Sequence, residues 1–457
     1  MIKNTLLLAS AAIFCSFSIH AQKDAKFTDE MKQEMCSKVK AAAQHAWKGY
    51  KDHAWGADDL KPLTKEPKTW YNKSMLMTPV DAFDTFTLLG LKDEAKEAKE
   101  LILAKLDFNI DNDVQVFEIT IRLLAGLLTA YELDGNKKFL TLAEDLGNRL
   151  MPAFNTPTGM PYRYVHLQTG KTRDGINNPA EIGTLMMEFG KLSRLTGKNK
   201  YYAAAKKAIM YVYNKRSKIG LVGEQINIQT GKWVNSRSHI GAYIDSYYEY
   251  LYKSWLLFGD VDFKTAFDTH NRAIKKYLVS KTDHGWFMHQ VNMNTGKVIG
   301  TRYGALEAFY AGLCAFAGDI ETGREIQEAN YYMWTRFNIE PEEFDFKKDS
   351  ITSPYYILRP ENLESCFYLY RLTGQLKFLW QGKVMVESII DLCKNEVAFT
   401  SLKSVLSFER ENSMESFFFG ETLKYAYLIF APESILNFKK VVLTTEAHPF
   451  KMERKKK

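Results

Sequence analysis

Apolar positions recur along this chain at helical spacing, and glycine interrupts them at a regular beat. In "LLGLKDEAKEA", "YELDGNKKFL", "SRLTGKNKYY", "LLFGDVDFKTA", "FAGDIETGREI" and "RLTGQLKFLW" an apolar run stops at Gly90, Gly135, Gly197, Gly259, Gly318 and Gly374. A more polar helix then begins. Glycine accepts the left-handed conformation that ends a helix, and a nearby Asp, Asn or Thr can cap the next one. The glycines stand 45, 62, 62, 59 and 56 residues apart, which marks a repeating helical hairpin. Six hairpins are visible. Two helices remain, at 29–44 and 414–430, and pairing them makes a seventh hairpin and closes a ring. The pattern predicts an all-α toroid in one domain, 22–450, with apolar first helices inside and polar second helices outside. "LVGEQINIQTGKWV" (221–234) and "WFMHQVNMNTGKVIG" (286–300) read as β-hairpins at one mouth of the ring.

The ends of the chain read differently. "MIKNTLLLASAAIFCSFSIHAQ" has a basic start at Lys3, an apolar core and a small residue, Ala21, suited to cleavage. It reads as a signal peptide over 1–21, and so as export to the periplasm or the medium. Cys15 follows "AIF", without the small residue usual before a lipidated cysteine, so no membrane anchor is expected. The formal charge of +7 is misleading. Lys3 leaves with the signal, and the tail 451–457, "KMERKKK", carries +4, leaving about +2 by subtraction (7 − 1 − 4). No basic face calls for nucleic acid. Cys36, Cys314, Cys366 and Cys393 show no metal spacing, and Cys314 and Cys366 sit in apolar helical contexts that suit buried thiols.

The apolar first helices should carry few acids, yet each has one near its start. They are Glu118, Glu181, Asp245, Glu307, Glu361 with Glu364, and Glu421. In a closed ring these gather around one mouth, facing the axis. One such acid reads as a favourable charge at a helix N-terminus. Six or more in register, flanked by Tyr247, Tyr248, Phe417 and Phe418, read as a site, because buried carboxylates are costly unless paired or metal-bound. Arg122 and Arg359 lie near Glu118 and Glu361 in sequence and can hold them ionised. Acids and aromatics in a concave mouth suit carbohydrate, and glycoside hydrolysis needs one protonated and one ionised carboxyl. His45 and His53 read as packing residues, and Asp81 and Asp84 as hydrogen-bonding groups at a helix end. Glu188 and Glu249 read as buried partners of polar groups, and His448 as a structural residue.

The motifs "QHAWKGYKDHAWGADDLKP", "FEITIRLLAGLLTAYEL", "GAYIDSYYEYL", "LRPENLESCFYLYRLTG", "ESFFFGETLKYAYLIF" and "TTEAHPF" together resemble glycoside hydrolase family 47, the class I α-1,2-mannosidases. The resemblance implies an (α/α)7 barrel with a C-terminal strand or hairpin plugging it. It also implies an inverting, calcium-dependent exo-α-1,2-mannosidase, acting as a monomer on mannose-containing oligosaccharides. It assigns Glu118 as proton donor, Asp245 as a second essential acid, Glu361 as general base and Glu342 as a further acid. Arg122, Glu181, Arg359, Glu364 and Glu421 are implied at the sugar subsite, and Thr445 as the direct calcium ligand.

Two departures qualify the resemblance. Tyr243 stands where the processing branch of the family has arginine or leucine, and Ala305 and Ala308 stand in place of its histidine and cysteine. That segment resembles the ER degradation-enhancing branch or bacterial members, and that branch's disulfide is not expected. A glycan-binding protein with little turnover is therefore the alternative. A different toroid, such as a prenyltransferase, would need a zinc site of Asp, Cys and His that the sequence lacks.

Overall fold

The computed structural model describes residues 26–452. The expected signal peptide, Cys15 and the tail from 453 onward lie outside the described residues. The architecture is mostly helical, and the hairpins fall where the glycine beat puts them. Gly90, Gly135, Gly197, Gly259, Gly318 and Gly374 all take positive φ, between 68° and 92°. Asn136, Asp260 and Asp319 accept backbone N–H bonds at the starts of the helices that follow.

Composition separates the two layers. In the helices Met77–Leu89, Asp245–Phe258, Glu361–Thr373 and Leu423–Phe430 most side chains are buried all round. In Lys92–Lys105 only Ala98, Leu101 and Ile102 are buried, a single stripe on an otherwise polar helix. Met77–Leu89 packs on Ala125–Asp134, which packs on Met186–Thr196, and that in turn on Asp245–Phe258. Tyr252 continues the series by donating its hydroxyl to the Phe316 carbonyl at 3.0 Å. Phe309–Phe316 packs on Glu361–Thr373, then Leu423–Phe430, which returns to Met77–Leu89. Asp29–Ala54 lies outside against Leu423–Phe430, as the seventh pair requires. One apolar core runs through all of these helices.

Short strands decorate the ends where the apolar helices begin. Gln225–Asn227 pairs with Trp233–Asn235, and Gln290–Asn292 with Val298–Gly300, within the two segments read as hairpins. The C-terminus is a hairpin, with Val441–Leu443 antiparallel to Pro449–Lys451 and residues 444–448 at its tip. Gly126 makes room for it: a Cβ there would stand 2.5 Å from Val80 Cγ1 and 3.4 Å from His448 Cε1.

The tip is held by buried charge. His448 Nδ1 bonds Asp84 Oδ2 at 2.9 Å, and Lys424 Nζ reaches Asp84 at 3.0 Å and the Ala447 carbonyl at 2.9 Å. Asp81 Oδ1 lies 3.6 Å from His448 Nε2. Asp81 and Asp84 are thus ion-pair partners of the C-terminal hairpin rather than helix-end groups. Burial opposes the charge on His448, but Asp84 and Asp81 overcome it and push its pKa up to about 9. A raised histidine pKa stabilises the fold fully below the unfolded value near 6.5, and that contribution is lost as pH rises through about 9. The shift is worth about 3 kcal/mol. Urea unfolding at about pH 6 and about pH 9.5 should show the wild type losing more stability than His448→Gln; parallel losses would refute the pairing.

Candidate functional site

The first turns of the buried helices open on a cavity of about 280 Å³. Nine of the ten predicted site residues line it: Glu118, Arg122, Glu181, Asp245, Arg359, Glu361, Glu364, Glu421 and Thr445. They come from six helical segments, the loop before Glu361 that carries Arg359, and the hairpin tip, so the acids gather at one end of their helices. Glu118 lies in Val116–Ile119, Glu181 in Pro179–Gly183, Asp245 at the start of Asp245–Phe258, and Glu361 and Glu364 in Glu361–Thr373. Two residues depend on a feature the sequence did not reveal. Arg122 sits in the π-helical turn Thr120–Leu124 and Glu421 in the π-helical turn Phe418–Thr422. Such one-turn widenings re-aim side chains and recur at functional sites.

Each buried acid answers to a partner. Arg122 donates through Nε to Glu118 Oε2 at 3.0 Å and through Nη1 to Glu446 Oε2 at 2.7 Å. Arg163 grips Glu181 with two bonds, 2.8 and 2.7 Å. Lys253 pairs with Glu249, and the Tyr425 hydroxyl donates to Glu364 at 3.1 Å. Glu188, behind the cavity, accepts from Tyr250 at 2.7 Å, and Tyr250 Oη in turn accepts the Thr445 N–H at 3.2 Å. Ser246 donates through N–H and hydroxyl to Asp245 Oδ1, at 2.7 and 3.2 Å. Glu421 and Glu361 are the exceptions. Glu421 faces chiefly two other carboxyls, Glu446 and Glu361. Glu361 Oε1 lies 3.7 Å from Arg359, and its buried Oε2 has no hydrogen-bond partner.

Burial raises the carboxyl pKa values. Asp245 is pushed up to about 6, Glu361 to about 7 and Glu364 to about 8, desolvation being the largest cause in each. Glu446 rises to about 7, where Arg122 opposes burial. Glu421 rises further, with Glu446 and Glu361 adding like-charge repulsion.

The structure redraws several expectations. Glu342 does not line this cavity. It lies next door and holds Arg359 with two bonds, Nε to Oε2 at 3.0 Å and Nη2 to Oε1 at 2.6 Å. Arg359 therefore answers mainly to Glu342 rather than to its sequence neighbour Glu361. Glu307 also belongs to the neighbouring cavity. Of the expected aromatics only Phe417 lines the site; Tyr247, Tyr248 and Phe418 are core residues. His45 Nε2 bonds the Asn395 carbonyl at 2.9 Å, a packing role. Cys36, Cys314, Cys366 and Cys393 are free thiols, the last three buried. Sequence reading missed Glu446, Arg163, Asn178 and Phe309. Only Glu446, beside Thr445 in a quoted motif, carried a signal that could have found it.

The fold is a succession of packed helical hairpins that gather carboxyls around one cavity. The chain belongs to glycosyl hydrolase family 47, whose profile matches residues 42–452. It is 35% identical to alpha-mannosidase I MNS5 of Arabidopsis thaliana, over 92% of this chain and 78% of that protein. It is 37% identical to human ER degradation-enhancing alpha-mannosidase-like protein 2, over 90% of this chain and 76% of the relative. Among solved structures, the alpha-1,2-mannosidase from Trichoderma reesei superposes with a TM-score of 0.86 at 30% identity, covering 92% of this chain and 99% of that one. That structure has the same helical-hairpin fold.

Arg122 is the keystone of the paired acids. Removing it leaves Glu118 and Glu446 without their cation, which for a buried pair costs about 3–5 kcal/mol. Arg122→Ala should lower the denaturation midpoint accordingly, and Arg122→Lys should restore only part, because a compact ammonium lacks the spread, planar donors with which the guanidinium meets Glu118 and Glu446. Unchanged stability in Arg122→Ala would refute this arrangement.

Proposed function

We propose that the protein is an inverting, calcium-dependent exo-α-1,2-mannosidase of (α/α)7-barrel type, its catalytic domain spanning 22–450. It would remove terminal mannose from high-mannose glycans or α-mannan oligosaccharides. The observation that carries this reading is the unpartnered, buried Oε2 of Glu361 in a cavity where Glu118, Glu181, Glu249, Glu364 and Glu446 are hydrogen-bonded or ion-paired. Inversion needs one carboxyl to take a proton from water and another to give one to the leaving oxygen. Glu361 is the base on this reading, since Oε2 is free to accept from water. Its pKa near 7 suits proton transfer at neutral pH. Asp245, raised to about 6, and Glu118 serve the leaving-group side, directly or through water. Glu342 acts through Arg359, which it locks in place. Arg122, Glu181, Arg359, Glu364 and Glu421 bind and orient the sugar.

The residues present fit calcium. Thr445, half-buried at the hairpin tip, lines the cavity and offers hydroxyl and carbonyl oxygens, the hard donors that calcium prefers. Among the described residues no three His, Cys, Asp or Glu side chains converge closely enough to hold a metal by themselves. The remaining positions would fall to water and sugar hydroxyls, steadied by the surrounding carboxylates. When bound, calcium activates water and grips sugar hydroxyls. Among the described residues no helix is long and apolar enough to cross a membrane. The expected signal peptide at 1–21 supports export.

Incubation with α-1,2-mannobiose and calcium, followed by NMR, should release β-mannose first. Release of α-mannose first would refute inversion, and tight binding without product would favour the glycan-binding alternative. Glu361→Gln should lower kcat by about a hundredfold or more while leaving affinity nearly unchanged. Thr445→Val should lose calcium binding by calorimetry together with activity; full activity after exhaustive chelation would overturn the metal role.

A further inference from the structure

A cavity of about 660 Å³ lies apart from the carboxyl ring and shares none of its described lining residues. One wall is the side of the helix Val261–Tyr277, and the other is the loop that follows the helix Lys200–Asn214. Arg272 and Lys276 line it from the helix and Arg216 and Lys218 from the loop, with no carboxyl among the described lining residues. Elsewhere on the same helix positive charge is answered. Lys264 holds Asp268 at 2.6 Å, and Lys275 pairs with Asp319 at 2.5 Å. Among the described residues no ion pair engages Lys218, Arg272 or Lys276. Arg272 and Lys276 stand four apart on one helix face, where like charges repel. Helix ends explain part of this charge, since Arg216 donates to the Tyr213 carbonyl at 2.9 Å. They do not explain Arg272, more than a turn before its helix stops, or Lys218, in the loop beyond the other helix.

The loop wall is fixed in place. Gly220 takes φ of +89° and lies so close to the helix that a Cβ on it would stand 3.1 Å from Ala273 Cβ. Buried His270 donates through Nδ1 to the Gly220 carbonyl at 2.7 Å, and the Ser217 N–H donates to the Leu221 carbonyl at 2.8 Å. The Arg216 guanidinium stands 3.9 Å from the centre of the Tyr213 ring, so its position is set before any ligand arrives. Beside the four cations the cavity offers the Ser217 hydroxyl and the Asn214 amide. Two guanidiniums and two ammoniums suit a tetrahedral dianion, whose paired oxygens match the guanidinium fork, better than a single carboxylate. The volume exceeds that of one phosphate group and leaves room for the molecule that carries it.

We propose that this cavity binds a phosphate monoester borne on a larger polar molecule, with Arg216, Lys218, Arg272 and Lys276 around the phosphoryl oxygens. The site is separate from the carboxyl ring and does not depend on the mannosidase reading. Calorimetric titration of the intact protein with glycerol 3-phosphate at low ionic strength tests it. The ester should bind with a Kd of about 1 mM or tighter, and more weakly as salt rises. Combined Arg272→Ala and Lys276→Ala, at exposed positions, should weaken binding at least about tenfold with the melting temperature unchanged. Lys218→Glu should do the same independently from the loop, and Lys403→Ala, on a distant exposed lysine, should change nothing. Co-sedimentation with phosphatidylcholine vesicles containing phosphatidic acid separates two sources of the same group. Sedimentation that glycerol 3-phosphate reverses assigns the site to a lipid headgroup. Binding of the ester without sedimentation assigns it to a soluble phosphate. No binding of glycerol 3-phosphate, equal binding of acetate, or losses no larger than that of Lys403→Ala overturn the proposal.

Discussion

Asp84 carries two cations, His448 and Lys424, and none of the three reaches water. The position of the hairpin tip depends on this buried cluster. A carboxylate so desolvated is tolerable only with its charge fully answered, which ties Met77–Leu89, Leu423–Phe430 and the C-terminal hairpin to one geometry. Neighbouring tip residues extend the same logic. Glu446 answers Arg122 on the helix after Gly90's hairpin, and the Thr445 N–H answers Tyr250. Residues 444–448 thus draw four buried helices together, and Thr445 has little freedom about where it stands.

The cavity above the tip is charged in one direction. Eight carboxyls line it, Glu118, Glu181, Asp245, Glu249, Glu361, Glu364, Glu421 and Glu446, against two lining cations, Arg122 and Arg359. Arg163 and Lys253 reach in from behind. The excess appears as raised pKa values at Asp245, Glu361, Glu364, Glu421 and Glu446, each a group that gives up water without gaining a full counter-charge. A site in that condition favours any added positive charge, whether a proton or a hard cation. In the neighbouring cavity Glu224 and Glu342 are instead paired with Arg237 and Arg359.

Much of this was legible in the sequence because it is local or periodic. The turn glycines announce a backbone conformation that other residues adopt at a cost, and the acids recur 10 to 17 residues before them, near the starts of the same helices. What stayed hidden is long-range or depends on backbone detail. Arg359 has Glu361 two residues away, but its fork meets both oxygens of Glu342 instead, a coplanar approach that sequence proximity does not supply. Asp84 and His448 are 364 residues apart. Nothing local in "VDAFDTF" distinguishes an aspartate that caps a helix from one that anchors the chain's other end. The π-helical turns at Arg122 and Glu421 leave no mark on the apolar pattern, since the helices they open are buried on nearly every side and have no polar stripe to displace.

The choice between hydrolysis and mere binding turns on what a binding protein would not need. Recognition of a neutral sugar is served by paired carboxylates, which hold fixed hydrogen-bonding geometry at little electrostatic cost. Glu181 under Arg163 and Glu118 under Arg122 have that character. An unpaired carboxyl oxygen buried at the site centre does not, because leaving it unsatisfied costs about 1–3 kcal/mol. Glu361 Oε2 is such an atom, and Arg359, the nearest cation that could quench it, is turned toward Glu342 by two shorter bonds. Buried carboxyl oxygens without a hydrogen-bond partner occur elsewhere, at Asp81 and Glu340 among others, but Glu361 is the one that also lines the cavity, where such a cost is reasonable if the oxygen accepts a proton during a reaction. The same pairing that withholds Arg359 from Glu361 also joins the two cavities. Glu342 thereby links the wall of the neighbouring cavity to Arg359, which stands beside Glu361.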